Sequence, residues 1–375
     1  MAMTMLLNGI FPAIPTPYYA DGSLYLKKLE HNVNRYTKGP IAGVVVLGST
    51  GEAVCLSGEE RSQVLRTAIA AAAPEKVMIA GCGHESAHQT LEACDCAASL
   101  GYDAALVCTP HYYRAQLTPL AMLNYYRTVA DRSPLPILLY SFPQCTGYDL
   151  DVDLIAELAS HRNILGIKES SGDLANVASI VQRTRHIKRQ TRVTYDFQPL
   201  TLRMEHQAKR QQAAVPPTAE FVSAGALAAT AANSLAPSAA PAPARPSSSS
   251  VELIGGLRTR HKEIGFQVLV GSGHKLHALL SAGAVGSILA FAACAPTACY
   301  EIYAAFKDND QKLAAEKQQR IEAACLRIVT EMGIAGVKYA SDLNGFYGGN
   351  PRLPLLPLTS AQRQEIERLL AEIKS

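Results

Sequence analysis

Lys168 and Tyr140 are the residues of this chain best placed to do chemistry. Each ends a short apolar run, Ile164-Leu165-Gly166-Ile167-Lys168-Glu169-Ser170 and Ile137-Leu138-Leu139-Tyr140-Ser141-Phe142-Pro143. Such runs read as buried parallel strands that release the chain into loops. In a barrel of alternating strands and helices, catalytic groups collect at that strand edge. An amine partly desolvated there can lose its proton near neutral pH and attack a ketone. A phenol beside it can move the protons that carbinolamine formation and a carbon–carbon step require. Two loops join them, Gly48-Ser49-Thr50-Gly51-Glu52 and Thr109-Pro110-His111-Tyr112-Tyr113-Arg114. Small hydroxyls and glycine-flanked N–H groups suit a carboxylate.

Each residue also has a plainer reading. A lysine at a strand end is commonly a solvated charge, and a lone tyrosine there is commonly core packing with a satisfied hydroxyl. Ser49 and Thr50 read alone are loop or cap hydroxyls, and Ser170 satisfies local backbone. Tyr112 and Tyr113 form an aromatic interface patch, and Cys145 is a small packing residue. The recurrence of all of them at strand ends favours the chemical reading.

The strands that must position these groups lie near Ile10–Pro15, Gly43–Leu47, Val77–Gly81, Ala104–Thr109, Ile137–Tyr140, Ile164–Lys168, Phe266–Gly271 and Val285–Ala290. Helical patterns separate them, at Leu26–Tyr36, Gly58–Ala72, Ser86–Leu100, Leu120–Ala130, Val152–Ala159 and Leu174–Arg185, with Ser57 and Asp173 as caps. The early strands recur at the length of one strand–helix unit. The pattern predicts a (β/α)8 TIM barrel over 8–295 and a helical region over 296–375. Helices are expected there at Pro296–Gln319, Arg320–Met332 and Ser360–Ile373.

One interval breaks the rhythm. Residues 186–260 lengthen a single strand–helix unit, and Ser223–Ser250 is mostly Ala, Pro and Ser. That composition buries too little apolar surface to offset ordering, so a disordered, low-complexity insertion between the sixth helix and the seventh strand is expected. Arg-Thr-Arg-His stands at both edges, at 183–186 and 258–261. The repeat suggests a translated intron or gene-model error, with a genuine regulatory or linker segment as the alternative. Either way the interval enters at the barrel face away from the strand ends.

The bulk composition narrows the function classes. Net charge is +3, with no basic block flanking aromatics, which gives no sign of nucleic acid. The nine cysteines are scattered, and Cys94/Cys96 and Cys294/Cys299 match no common zinc spacing. They predict reduced thiols and a cytoplasmic protein. The few residues before Asn8 are too short for a leader peptide, and the Ala-rich stretch 278–298 reads as strand plus helix and not as a membrane span.

Taken together and in order, Gly9-Ile10-Phe11-Pro12 through Thr16-Pro17, Gly-Ser-Thr-Gly-Glu, Thr-Pro-x-Tyr-Tyr, Tyr-x-x-Pro and Gly-Ile-Lys-Glu-Ser resemble the dihydrodipicolinate synthase / N-acetylneuraminate lyase family of lysine-dependent class I aldolases. The resemblance covers everything except the insertion. It implies that Lys168 forms an imine with a 2-oxo acid and Tyr140 transfers protons. Thr50 and Tyr112 complete the relay, with adjacent Tyr113 as the alternative to Tyr112. Ser49 and Thr50 hold the carboxylate of the small-molecule 2-oxo acid, and Ser170 contacts the rest of the substrate. It also implies no metal or organic cofactor, no nucleic-acid or membrane partner, and a homotetramer (a dimer of dimers) in which the loop tyrosine reaches a neighbouring subunit's site.

One departure matters. The synthases of the family carry an arginine two residues after the proline of Tyr-x-x-Pro, and here Cys145 stands there. A neutral thiol cannot bind a carboxylate bidentately. Tyr140-Ser141-Phe142-Pro143, the Tyr112-Tyr113-Arg114 run and Phe346-Tyr347-Gly348-Gly349 look most like 4-hydroxy-2-oxoglutarate aldolases, with Arg114 as a distal cation. Alternatives are a 2-keto-3-deoxy sugar-acid aldolase, a dihydrodipicolinate synthase-like enzyme and a non-catalytic 2-oxo acid binder. A competing motif, His84-Glu85-Ser86-Ala87-His88, matches the short zinc-peptidase pattern but has no third ligand. Limited proteolysis within 186–260 should nick the chain and leave its activity intact; loss of activity on cleavage would show that the interval is not passive.

Overall fold

The computed structural model describes residues 4–214, 251–254 and 256–373. Its strands are β1 (Gly9–Pro12), β2 (Gly43–Val46), β3 (Val77–Gly81), β4 (Ala104–Cys108), β5 (Ile137–Ser141), β6 (Ile164–Glu169), β7 (Arg189–Thr194), β8 (Glu252–Ile254), β9 (Leu257–Ile264), β10 (Gln267–Val270) and β11 (Gly286–Leu289). Eight of them form one parallel sheet in the order β1-β11-β10-β6-β5-β4-β3-β2. It closes where Ile14 N–H donates to the Val45 carbonyl at 3.1 Å and Ala42 N–H to the Ile10 carbonyl at 3.0 Å. The expected (β/α)8 barrel is therefore present.

Two apolar layers explain why the strands lack alternation. Phe11, Val45, Ile79, Leu106, Leu138, Leu269 and Ile288 fill the barrel. Val44, Val46, Met78, Ala80, Ile137 and Leu139 face the surrounding helices. A strand covered on both faces must be apolar at every position. The helices begin where the caps predict. Ser57 and Glu60 make a reciprocal capping box at 3.2 and 2.9 Å. The Asp173 carboxylate accepts the Ala175 N–H at 2.8 Å.

Beyond the barrel the helices run Pro296–Lys307, Gln311–Cys325, Gly333–Leu343 and Ser360–Leu370, with a π-helical turn at Leu326–Glu331. The single helix expected over Pro296–Gln319 is broken. Asn309 turns left-handed at φ +61°, and Asp310 caps a new helix by accepting the Leu313 N–H at 2.9 Å. The expected helix Arg320–Met332 is the end of that second helix and the π turn. Ile302, Ile321, Val337 and Ile366 share one apolar cluster with the barrel's outer layer.

The interval 186–260 lies between the helix Leu174–Thr184 and β10, where an insertion was expected. Its described part is built. β7, β9 and β8 form an antiparallel sheet in that order, and a helix covers Leu202–Ala214. Val193 and Ile264 bury Leu6. Arg189 donates to the His161 carbonyl at 2.9 Å and also to those of Ala159 and Ile164, at the entry to β6. Arg203 donates to the Ala72 carbonyl at 3.3 Å and to that of Lys76, at the entry to β3. The segment thus lies at the barrel end opposite the strand C-termini. The repeated Arg-Thr-Arg-His ends a helix at its first copy and runs inside β9 at its second. The disorder expected over Ser223–Ser250 lies outside the described residues.

Arg203 also approaches Asp103 at 3.7 Å, and the Asp103 side chain is fully buried. Burial pushes this carboxyl up to about 6 from 3.8, while Arg203 and the Met78 N–H pull it back. The folded chain holds the proton more tightly than the unfolded chain, so the cost of burying the carboxylate is absent below about pH 3.8 and complete above about pH 6. Arg203→Ala should destabilise the protein by roughly 2 kcal/mol above that window and by less below it. Denaturant titrations on both sides of the window measure this; equal stability at both would show that the segment does not support the barrel.

Candidate active site

A one-residue irregularity in β6 decides where Lys168 points. Ile137 pairs with Ile164, but the next residue, Leu138, pairs with Gly166, so β6 carries one extra residue. Leu165 lies inside the barrel, whereas Ile164 and Ile167 face the helices. Without the extra residue, strict alternation from Leu165 would send Lys168 outward. Gly166 makes the close pairing possible, since a Cβ there would meet the Gln267 carbonyl oxygen at 1.9 Å. Lys168 therefore enters the barrel mouth in a row of neighbours. Cys108 pairs with Tyr140, Tyr140 with Lys168, and Lys168 with Leu269.

Lys168 is 5% exposed, and its Nζ stands 3.9 Å from the centre of the Tyr140 ring. Burial lowers its pKa from 10.5 to about 8, and the thiols of Cys108 and Cys145 pull weakly the other way. The ring favours an ammonium by roughly 0.5–2 kcal/mol. Burying an ion costs several kcal/mol, so desolvation wins and the neutral amine is accessible. Glu169 does not neutralise it: one Glu169 oxygen accepts the Ser171 N–H at 2.8 Å. Burial raises the Tyr140 phenol above its ordinary value, so it remains a proton donor at neutral pH.

The Ser49 hydroxyl lies 3.2 Å from this phenol, and Thr50, expected in the relay, follows it in the chain. Both sit on the short 3-10 turn Ser49–Gly51, where Thr50 is buried. Thr16 secures that turn by donating to the Gly51 carbonyl at 2.6 Å. Ser170 follows β6 with its Oγ buried on the side of Tyr140. It packs on Gly271, where a Cβ would meet that oxygen at 2.0 Å.

Cys145 lies on the short helix Pro143–Thr146 and is exposed. Arg114 arrives from another loop and lays its guanidinium on Gly147, directly after that helix. A Cβ at Gly147 would stand 2.3 Å from the Arg114 Cζ, and Gly147 has φ +64°, so only glycine fits both demands. A guanidinium thus stands close to the short helix that carries Cys145. Tyr112 and Tyr113 are 77% and 66% exposed and meet edge to face at 5.2 Å. Neither is in the buried row with Lys168.

Two residues of the site escaped the sequence reading. Cys108 is one, its thiol pushed up to about 11 by burial; its place beside Tyr140 follows from register, which no local pattern reveals. Glu85 is the other. It accepts the N–H groups of His111 and Tyr112 at 3.0 and 2.9 Å, and so holds the tyrosine loop. This also explains its motif. His84 precedes the helix that begins at Ala87, and His88 on that helix pairs with Glu92 at 3.3 Å, so the two histidines do not share a helix face. Among the described residues, no three His, Cys, Asp or Glu side chains are grouped to hold a metal. No helix among them is long and apolar enough to cross a membrane.

Because the charged form of Lys168 is penalised only in the fold, its cost is complete below about pH 8 and fades as pH rises toward 10.5. Lys168→Met should therefore stabilise the protein by roughly 1–3 kcal/mol at neutral pH, with the gain shrinking in alkali. Thermal unfolding across that range checks it. A lower midpoint for the variant at neutral pH would mean that the ammonium is held by favourable contacts.

Comparison with known proteins agrees with this geometry. The model of the Dihydrodipicolinate synthetase family matches residues 6–188 and 249–373. Its gap falls inside the interval that interrupts the strand rhythm. The 4-hydroxy-tetrahydrodipicolinate synthase of Stenotrophomonas maltophilia is 40% identical over 177 residues, which are 47% of this chain and 59% of that protein. That of Methanothrix thermoacetophila is 38% identical over 179 residues, 48% and 59% of the two chains. The chain thus matches about three fifths of the length of these relatives. Among solved structures, a dihydrodipicolinate synthase of Bacillus anthracis superposes with a TM-score of 0.74 at 21% identity, covering 99% of this chain and 100% of that one. The chloride-inhibited dihydrodipicolinate synthase of Acinetobacter baumannii, complexed with pyruvate, gives 0.73 at 26% identity, covering 98% and 99%. With its barrel, its strand-end lysine and both halves of the family model matched, the chain belongs to the dihydrodipicolinate synthetase family.

Proposed function

We propose that the protein is a Schiff-base aldolase of 2-oxo acids that cleaves 4-hydroxy-2-oxoglutarate to pyruvate and glyoxylate. The observation that carries the aldolase chemistry is the buried Lys168 amine, lowered to about 8, over the Tyr140 ring. The neutral amine attacks the C2 ketone. Tyr140 protonates the departing hydroxyl, water leaves, and a cationic imine forms. The Tyr140 phenolate then takes the proton of the C4 hydroxyl. The C3–C4 bond breaks, its electron pair passes to the imine as an enamine, and glyoxylate departs. Protonation at C3 and hydrolysis release pyruvate and restore the amine. Ser49 and Thr50 hold the C1 carboxylate, and the Ser49 contact at 3.2 Å steadies the phenol.

The choice of aldehyde partner rests on Arg114. Its guanidinium on Gly147 offers a cation for the second carboxylate of a dicarboxylic substrate. The names of the curated relatives support a second reading, a condensation of the dihydrodipicolinate synthase type, in which Arg114 binds the aldehyde partner's carboxylate instead. A 2-keto-3-deoxy sugar acid would leave this cation without a carboxylate to bind. The exposure of Tyr112 supports its delivery to a neighbouring subunit's site in a homotetramer.

Borohydride should trap pyruvate on Lys168 in the native protein and not in Lys168→Ala, as mass spectrometry of the peptide will show. Trapping should accelerate as pH rises through about 8, where the amine loses its proton, and then level off. Failure to trap any 2-oxo acid would end the aldolase reading. Arg114→Ala should raise KM for 4-hydroxy-2-oxoglutarate by roughly tenfold or more and leave pyruvate trapping unchanged. Activity only with pyruvate and aspartate semialdehyde would select the synthase reading.

A further inference from the structure

The Gly48–Glu52 loop is gripped from behind by the C-terminal region. Glu52 is 1% exposed and holds φ at +55°, a left-handed conformation that costs a side-chain-bearing residue energy. Its Oε1 lies 2.5 Å from the Lys338 Nζ, with both side chains fully buried. Its Oε2 accepts the backbone N–H of Arg352 at 2.8 Å. Lys338 donates further to the Asn350 carbonyl at 3.0 Å and stands 4.3 Å over the Tyr18 ring.

Arg352 is itself pinned. Its guanidinium binds both oxygens of Glu60 at 2.7 and 2.9 Å, the Cys55 carbonyl at 2.8 Å and the Gly22 carbonyl at 2.6 Å. It covers the other part of the Tyr18 surface at 4.5 Å. A glycine at position 52 would make the same turn without strain, and an apolar pair would fill the same space without desolvating two charges. What the ion pair adds is direction: both carboxylate oxygens are tied to groups far along the chain. Three residues before Glu52 stands Ser49, the hydroxyl in contact with Tyr140.

We propose that Glu52, Lys338 and Arg352 are positioning residues that hold the Ser49–Thr50 turn against Tyr140 and the substrate carboxylate. The inference rests on the reading of Lys168 as the imine-forming residue. It makes the C-terminal helices part of the substrate-binding apparatus although none of their side chains enters the barrel mouth row.

The test is the pyruvate dependence of borohydride trapping at Lys168, followed beside thermal unfolding. If the native protein is not trapped, the aldolase reading itself has failed, and the positioning proposal falls with it. With native trapping in hand, Glu52→Gln should raise the half-saturating pyruvate concentration by roughly tenfold or more. The paired change Glu52→Leu with Lys338→Met removes both charges, so folding should be largely retained while the raised half-saturation persists. Arg352→Ala leaves the buried pair in place and loosens only its outer anchor; a rise of roughly threefold to tenfold is expected. That variant decides the question if the paired protein does not fold. A folded variant with altered unfolding but native half-saturation would show a purely structural role and overturn the proposal.

Discussion

The withdrawal of one amine from water organises this structure. Lys168 lies in the barrel mouth with 5% of its surface exposed, and among the described residues no carboxylate pairs with it. The fold bears the cost of an uncompensated charge there, and that cost makes the amine nucleophilic near neutral pH. Desolvation acts twice, because the same burial keeps the Tyr140 phenol protonated. Two groups of opposite tendency, an amine and a phenol, thereby stand in contact.

Everything that holds this pair is non-local. The extra residue in β6 turns Lys168 inward, and register places it next to Tyr140 and Cys108. The Ser49–Gly51 turn approaches from β2, and Glu52 directly after it is bound by Lys338 and the Arg352 N–H. The tyrosine loop is held by Glu85 from the end of β3. A closed barrel brings such distant segments to one rim, which is why loops can specialise there while the strands remain a packed core.

The opposite rim is fastened separately. Arg189 and Arg203 fasten the β7–β9 sheet to carbonyls that precede β6 and β3. The family model leaves residues 189–248 of this segment unmatched. Its distance from the barrel mouth separates the stability of the fold from the chemistry of the site.

Much of the barrel was legible before any coordinates. Doubly buried strands show as continuous apolar runs, and Ser57 and Asp173 announce helix starts because capping is a local interaction. Lys168 and Tyr140 stood out because both end apolar runs and the hydroxyl and tyrosine loops recur with them at strand ends. The helix break at Asn309–Asp310 was missed because an Asp cap inside a polar helical pattern resembles its surroundings. Composition concealed the strands in 186–260, since their pairing comes from partners far apart in sequence; the same Arg-Thr-Arg-His ends a helix in one place and lies in a strand in the other.

The sequence by itself determined the kinds of chemistry available: an amine, a phenol, a hydroxyl loop, and a thiol two residues after the proline of Tyr-x-x-Pro. Only the tertiary structure decided which of them meet. It set Ser49 against Tyr140, seated Arg114 on Gly147, and tied Glu52 to Lys338. The physical reason is common to all three. Contact distance and desolvation depend on strand register and packing between remote segments, and neither quantity is encoded in the local order of residues.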